Sequence, residues 1–354
     1  MNKIVFFLGT LSAGGAERVI SILSKRLSQY KEVEIILYYD RPIFYTIDSK
    51  VKITILDRET KFKKSILHKA IWLRRYLKDS PDTLIVSFLA PLNMFLIVSL
   101  LGIKKNLIVA ERNDPRHIPT NNLLRIIRNI LYLLVDGIIV QTESNKKYFN
   151  RLLQKKTTVI YNPIVVSNKY VRDNNNIQNT IVSVGRLIPQ KNQIMLIEAF
   201  KKIHDIYPDY KLVIYGEGEM RPELEKKVKS YNLEQAVSLP GTTHDVFEKI
   251  VNCKAFVLTS EFEGMPNALL EAMCLGVPSI STKVSGAKDL IKDGDNGILV
   301  EQNSINDLID AIESVISDSS LSERLSRNSI KLSKKLDVDR IIQEWINVFN
   351  LYND

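Results

Sequence analysis

The sequence predicts an α/β protein made of two doubly wound parallel-sheet domains. Three observations lead there. The chain has 354 residues, roughly two domains' worth at about 150 residues each. Short apolar or β-branched runs alternate with stretches of helical spacing. That alternation stops at a polar interruption near the middle and then starts again.

In the first series, Lys3 to Leu8, Val33 to Tyr38, Val51 to Leu56, Leu84 to Phe88, Asn106 to Ala110 and Gly137 to Gln141 read as strands. Ala16 to Leu27 and Ile66 to Leu77 carry the i, i+3, i+4 apolar pattern of helices between them. The opening run Ile4 to Leu8 is shorter than the ~7 to 15 residues of a secretory core, so it reads as a strand. Phe88 to Ile103 is apolar over 16 residues but interrupted by Pro91 and Asn93. That is below the ~20 residues needed to span a bilayer, and it predicts a buried helix.

The second series runs through Thr180 to Val184, Leu212 to Tyr215, Val237 to Leu239, Ala255 to Leu258, Pro278 to Ile280 and Ile298 to Val300. Alternating β and α units predict parallel sheets covered by helices on both faces. Between the series, residues 162–179 contain the polar run Asp173-Asn174-Asn175-Asn176, which reads as a linker. The predicted domains are residues 1–165 and 166–335, with a ligand cleft where their strand carboxyl ends face each other. After Val300 the chain is helical (Ile305 to Ile316, Leu321 to Leu332, Val338 to Phe349), and residues 336–354 are expected to pack back on the first domain.

Composition narrows the class. Apolar residues make up 45% and charged residues 25%, which excludes a disordered or fibrous chain. Two cysteines, Cys253 and Cys274, cannot form a disulfide framework, and His68, His117, His204 and His244 have no metal-ligand spacing. A reduced cytoplasmic protein without a protein-held metal is expected. The net charge of +9 is uneven: residues 1–170 hold 28 Lys and Arg against 13 Asp and Glu, a net of +15, and the remainder has 21 against 27, a net of −6. A basic half points to nucleic acid or an anionic membrane surface.

Four segments carry chemistry. Ser12-Ala13-Gly14-Gly15-Ala16-Glu17-Arg18 joins the first strand to the first helix. Paired glycines let a ligand touch the backbone and a helix N-terminus offers N–H groups to an anion, although a plain tight turn has the same look. Gly185-Arg186-Leu187-Ile188-Pro189-Gln190-Lys191-Asn192 places two fixed cations between a strand end and a helix start, an arrangement suited to a pyrophosphate.

Glu261 to Glu271 is the third segment. Pro266 fits the first turn of a helix, Glu263 falls on the preceding loop and Glu271 about one and a half turns in. Met273, Cys274 and Leu275 leave little polar face there, so Glu271 is expected to meet a ligand, and polyol hydroxyls would satisfy both carboxylates. The fourth segment, Val284 to Ile291, begins another helix with small residues that expose backbone N–H groups.

With Gly-Arg-Leu-x-x-x-Lys-Asn at 185–192 and two glutamates eight positions apart, the chain resembles glycosyltransferase family 4 over essentially its whole length. These are retaining enzymes of the GT-B fold, two Rossmann-like domains facing a cleft, that use nucleotide-sugar donors; the resemblance implies that residues 1–165 bind the acceptor and residues 166–335 the nucleotide sugar. Gly-Gly-Ala-Glu-Arg and the Gly286 to Ile291 segment look most like bacterial members that extend lipid-linked oligosaccharides, including N-acetylgalactosamine transferases. The resemblance implies transfer of a hexose or N-acetylhexosamine from a nucleotide-diphosphate sugar, by family analogy UDP-linked, to a glycan acceptor in surface polysaccharide assembly such as lipopolysaccharide or capsule.

By that resemblance Arg186 and Lys191 hold the donor diphosphate, Glu271 the ribose hydroxyls, and Glu263 with the backbone of Gly264, Met265, Pro266 and Asn267 the transferred sugar. Gly14 and Gly15 would let the first loop close over the diphosphate or sugar. Two departures stand out. Arg112 occupies the place where many members have a cleft-wall His, and Lys288-Asp289 stands where Pro-Glu is common.

Departure of a diphosphate develops negative charge that Arg186 and Lys191 would stabilise, so no metal is expected. The triplets Asp293-Gly294-Asp295 and Asp337-Val338-Asp339 read as a turn and a helix start. Arg116, Arg125 and Arg128 surround Leu123, Leu124, Ile126, Ile127, Ile130 and Leu131. That stretch is either a core helix with charged edges or a peripheral attachment to the inner face of the cell membrane, where a lipid-linked acceptor would sit. Two further classes stay open: a nucleotide-sugar epimerase of similar fold, whose carboxylate and histidine set is not apparent, and a nucleic-acid-binding protein, for which aromatic-interleaved basic stretches are absent.

Overall fold

The computed structural model describes residues 3–351 except 13, 61–64, 81, 168 and 244, and for residue 174 the backbone alone. Ala13 of the glycine turn, His244 and the Asn174 side chain of the polar run therefore lie outside the described residues. The chain divides into two compact units, Met1–Pro163 with Asp339–Asp354, and Ile164–Val338.

The first unit is built on seven parallel strands: β1 (Lys3–Leu8), β2 (Glu32–Leu37), β3 (Lys52–Ile55), β4 (Thr83–Phe88), β5 (Asn106–Ala110), β6 (Gly137–Val140) and β7 (Thr157–Val159). Their order is β3-β2-β1-β4-β5-β6-β7. Lys3 of β1 stands opposite both Glu32 and Thr83, so β1 is the point from which the winding runs both ways. Val5, Phe7, Ile36, Ile85 and Val109 share one core beneath helices on one face. The adjacent residues Phe6, Ile35, Val86 and Ile108 are equally buried on the other. Burial on both faces is why these strands read as continuous apolar runs.

The second unit has β8 (Gln178–Val184), β9 (Lys211–Tyr215), β10 (Val237–Gly241), β11 (Cys253–Leu258), β12 (Ser279–Thr282) and β13 (Ile298–Val300), all parallel, in the order β10-β9-β8-β11-β12-β13. In each sheet the winding reverses beside its first strand, between β1 and β4 and between β8 and β11. Ligands of doubly wound sheets bind beyond the strand carboxyl ends at such reversals. The loops after β1, β8 and β11 are the ones carrying three of the four segments singled out above.

Several expectations need correction. Phe88 closes β4, and only Ala90–Ser99 of the 88–103 run is helical, with Val98 and Leu101 exposed. Residues 164–178 are no free linker: the Ile164 N–H donates to the Leu336 carbonyl (2.9 Å), Tyr170 stacks on Phe247, and Arg172 donates to the carbonyls of Val251 (2.8 Å) and Cys253 (2.9 Å). Pro266 is the extended residue preceding the helix Asn267–Cys274, outside its first turn. The last helix, Val338–Asn350, packs on the first unit by stacking Trp345 on Phe88 (ring centroids 5.9 Å apart).

Candidate functional site

In the second unit, Gly185 ends β8 and the chain turns through Arg186 to a short helical turn, Pro189–Lys191, and then to the helix Gln193–Ile206. The loop after β9 fixes this turn. The Gly185 N–H donates to the Tyr215 carbonyl (3.0 Å), Leu187 to Glu217 (2.9 Å) and Met220 back to Leu187 (2.9 Å). Such close backbone contact demands glycine at both positions of Gly216-Glu217-Gly218. Their φ values are +144° and +159°, and a Cβ on either would fall on the carbonyl of Gly185 or of Leu187. Gln193 completes the brace by donating to the Arg186 carbonyl (2.9 Å). The Arg186 side chain is exposed and makes no hydrogen bond or ion pair among the described residues.

Lys191 lies back along Gly185, its Cε 3.4 Å from where a Cβ would stand, and its ammonium pairs with Glu263. The Ser260 hydroxyl donates to the same carboxylate oxygen (2.7 Å). Glu263 is 7% exposed, so burial strengthens this interaction relative to a surface pair. The loop after β11 is tied to the Arg186–Asn192 turn again: Glu261 N–H to the Gln190 carbonyl (2.8 Å), Gln190 to the Phe262 carbonyl (2.7 Å) and Thr259 to the Lys191 carbonyl (2.9 Å). Gly286, in the helix Ser285–Leu290, lets this loop settle. A Cβ there would lie 2.6 Å from both the Gly264 oxygen and Pro266 Cδ. Glu271 is 2% exposed, the one carboxylate within a run of buried residues from Leu269 to Cys274. Burial, with the nearby Glu271 charge, pushes the Cys274 thiol up to about 12.

In the first unit, Gly14 and Gly15 open the helix Gly15–Leu27. Gly14 is extended, and a Cβ on it would collide with the Glu17 carboxylate that folds back over the turn. Arg112, just after β5, is buried, and burial pulls its guanidinium below its usual range while the neighbouring Glu17 charge opposes that. It donates to Asn162 (2.7 Å), which also accepts from Gln141 (2.8 Å), and rests over the Phe88 ring at 5.4 Å. Its Nε and Nη1 groups have no hydrogen-bond partner among the described residues. A buried cation with unused donors is costly unless something supplies acceptors.

The family model for "Glycosyl transferases group 1" matches residues 168–332. The chain is 32% identical to a Campylobacter jejuni protein, "GalNAc-alpha-(1->4)-GalNAc-alpha-(1->3)-diNAcBac-PP-undecaprenol alpha-1,4-N-acetyl-D-galactosaminyltransferase", over 98% of both chains. The chain is a group 1 glycosyl transferase. The transferase is also 26% identical to the amylovoran biosynthesis glycosyltransferase AmsD of Erwinia amylovora, over 99% of this chain and 100% of that one. Its fold is that of Anabaena HepE, solved in complex with UDP and glucose, at a TM-score of 0.84 and 18% identity over 99% and 100% of the two chains. That is the GT-B fold.

Of the residues expected in its site, the transferase brings Lys191 and Glu263 into contact and sets Arg186 on the same braced turn. Gly264 to Asn267 lead from Glu263 into the helix bearing Glu271. Gly14, Gly15 and Arg112 belong to the first unit, where Glu17 links the glycine turn electrostatically to Arg112. Sequence reasoning missed Gly216 and Gly218, whose signal was a Gly-x-Gly directly after a strand. It also gave no role to Ser260, Glu17, Gln141 or Asn162.

Arg128 departs most from expectation. It is 0% exposed, donates to the carbonyls of Pro115 (3.1 Å) and Ile118 (2.6 Å), and faces the buried Glu111 at 3.8 Å. It belongs to the interior and contributes nothing to a basic surface. The apolar residues beside it, from Leu123 to Ile130, point outward instead.

Proposed function

We propose that this protein is a retaining, metal-independent transferase that moves a hexose or N-acetylhexosamine from a UDP-sugar to a glycan acceptor carried on a membrane lipid diphosphate. The observation that carries the reading is the meeting of Lys191 with Glu263, 72 residues apart, beside the unpaired Arg186 at the winding reversal of the second sheet.

Cleavage of the bond between the sugar's anomeric carbon and phosphate leaves negative charge on the diphosphate and positive charge on the ring. Arg186 forks onto phosphate oxygens and Lys191 acts as a point charge, so both stabilise the departing group. Glu263, held by Ser260 and Lys191, accepts hydrogen bonds from sugar hydroxyls, and the backbone of Gly264 to Asn267 lines the sugar. Glu271 accepts from the ribose hydroxyls. The acceptor hydroxyl attacks the anomeric carbon from the face the phosphate leaves, and its proton passes to the leaving phosphate oxygen, which balances the transfer without a second carboxylate. Within the first unit, Arg112 with its two unused donor groups and the Gly14-Gly15 turn are the candidates for a substrate contact. UDP is favoured because the similarly folded HepE was solved with it, and a lipid-linked acceptor because the Campylobacter relative's name contains one.

The membrane side of the reading rests on an outward apolar face. Leu123, Leu124, Ile126, Ile127 and Ile130 of the helix Asn122–Leu131 are exposed, with Leu133 and Leu134 continuing the patch. In this reading the face would lie in the interface of the inner leaflet; no described helix is long and apolar enough to cross a membrane.

A thermal-unfolding panel of nucleotide sugars, each with and without EDTA, tests the site. A UDP-sugar is expected to raise the midpoint equally in both. Glu271→Ala is expected to abolish that rise, and an undiminished rise in the variant would remove Glu271 from the donor site.

A further inference from the structure

Arg128 is a fully buried charge for which the chemistry above has no use. A guanidinium taken out of water is costly unless its partners compensate, so the partners show what it is kept for. Its Nη1 donates to the carbonyls of Pro115 (3.1 Å) and Ile118 (2.6 Å) and faces the Glu111 carboxylate at 3.8 Å. Nε and Nη2 close on Asn129 Oδ1 (3.2 and 3.0 Å). The rings of Tyr132, Tyr148 and Phe149 flank the charge, their centroids 5.9, 5.3 and 5.5 Å away.

The oxygens that Nη1 meets belong to one segment, residues 111–118, which leaves the end of β5 and leads toward the helix Asn122–Leu131. Arg112 is its second residue. Glu111, just behind, is fixed at backbone and side chain. Its N–H donates to the Ile139 carbonyl (2.8 Å), and its buried carboxylate accepts the Tyr132 hydroxyl (2.6 Å), whose oxygen accepts from Asn93 (2.8 Å). Just ahead, Pro115 and Ile118 are held by Arg128. One guanidinium thus grips the segment on both sides of Arg112.

Arg112 itself is held loosely by comparison. Its guanidinium makes one hydrogen bond, to Asn162, and rests on the Phe88 ring, with Nε and Nη1 unpartnered among the described residues. With a single hydrogen bond to direct them, the aim of those donors depends on where the backbone places the side chain. A functional group must be held within about 0.5 Å of its productive place, by neighbours that are themselves locked. Lysine could not copy the grip, because it presents a point charge where arginine presents a rigid planar fork.

We propose that Arg128 is a positioning residue of the transfer reaction: by holding residues 111–118 on both sides of Arg112, it fixes the direction in which Arg112 offers its unused donors to a substrate oxygen. This rests on the glycosyl-transfer reading, so the experiment reads the grip and the reaction separately. Arginine Nε–Hε NMR is recorded on the full chain, the Arg112 signal being assigned by its loss in Arg112→Lys. Turnover is followed as UDP release from UDP-glucose, UDP-galactose and their N-acetylamino counterparts.

The Arg112 signal is expected to move in Arg128→Lys, which keeps the charge and loses the fork, and in Tyr132→Phe, which removes the hydroxyl from Glu111. Tyr132→Phe decides the matter should the lysine variant fail to fold. Arg125→Gln releases only the carbonyls of Pro119 and Thr120, beyond the gripped segment, and is expected to leave the signal in place. In Arg128→Lys, kcat is expected to fall about tenfold to a hundredfold with KM for the donor little changed. Adding Arg128→Lys to Arg112→Ala is expected to slow turnover no further, because one effect passes through the other. An Arg112 signal unmoved by both Arg128→Lys and Tyr132→Phe, one moved as far by Arg125→Gln, or losses that multiply in the double variant overturns the assignment. Unmoved signals beside UDP release that Arg112→Ala abolishes discard the role of Arg128 and keep the transfer reading. Moved signals without UDP release from any of the four donors keep the grip and fail that reading.

Discussion

Lys191 and Glu263 hold one another, each partly compensating the other's burial. A donor diphosphate would add acceptors around the ammonium, and the carboxylate would remain to meet the sugar. Removing one preorganised electrostatic partner typically lowers the rate of chemistry by about 10² to 10³. Lys191→Ala is therefore expected to reduce kcat by about that factor in a transfer assay, and a loss confined to KM would assign Lys191 to ground-state binding alone. Gly286 tests the neighbouring backbone. Alanine would place a methyl 2.6 Å from the Gly264 oxygen and 2.9 Å from Met265 Cα, atoms that cannot rotate aside. Gly286→Ala is expected to lose about 1 to 3 kcal/mol of stability by chemical denaturation and most of the UDP protection. At this scale the sequence exposed residues whose position at a strand end betrayed them, such as Arg186, Lys191 and Glu263. It hid Glu17, Gln141 and Asn162, because their relation to Arg112 comes from loops after different strands meeting at one sheet end. A buried Arg128 was equally hidden, since its carbonyl partners follow the fold and not the spacing.

Elements were legible to the degree that burial leaves a pattern. Eleven of the strands enclosed on both faces or carrying apolar runs were readable, as was Ile298–Val300 at a sheet edge. The three-residue β7, Thr-Thr-Val at the other sheet's edge, has too little apolar sequence to stand out. The helix Asn122–Leu131 shows a different limit. Its sequence reads as both basic and apolar, but that mixture alone does not say which face the core takes. Here the interior receives Arg128, and the leucine and isoleucine face stays exposed, Leu123 at 63% and Ile130 at 59%. Contiguous apolar surface of that kind marks an interaction site. With Arg128 internal and Arg116 paired to Asp114, apolar insertion outweighs charge in the proposed membrane attachment. Co-sedimentation with anionic vesicles is expected for the native chain, with loss in the double variant Ile126→Glu and Ile130→Glu while UDP protection persists. Equal sedimentation of the variant would move the membrane contact elsewhere.

At the scale of the molecule, the chain leaves the first unit at Pro163 and returns to it only with Asp339–Asp354. The return is anchored by Trp345, fully buried, which stacks on Phe88 at 18° between ring planes and tilts against Phe349 at 5.6 Å. Phe88 in turn lies under the Arg112 guanidinium, so the last helix supports a functional candidate through one intervening ring. Truncating a buried tryptophan to alanine costs about 3 to 5 kcal/mol, through lost burial and the cavity left behind. The indole Nε1 has no hydrogen-bond partner among the described residues. Trp345→Phe therefore removes an unsatisfied donor along with the volume, and is expected to cost much less than alanine. The chain has two tryptophans, and the other, Trp72, also belongs to the first unit, stacked on Tyr76 at 4.7 Å. In either variant Trp72 fluorescence reports unfolding of the first unit alone. Urea titrations followed this way should show the midpoint falling steeply for Trp345→Ala and little for Trp345→Phe. Equal midpoints for the alanine variant and the native chain would mean that the returning helix is not what holds the first unit's sheet together.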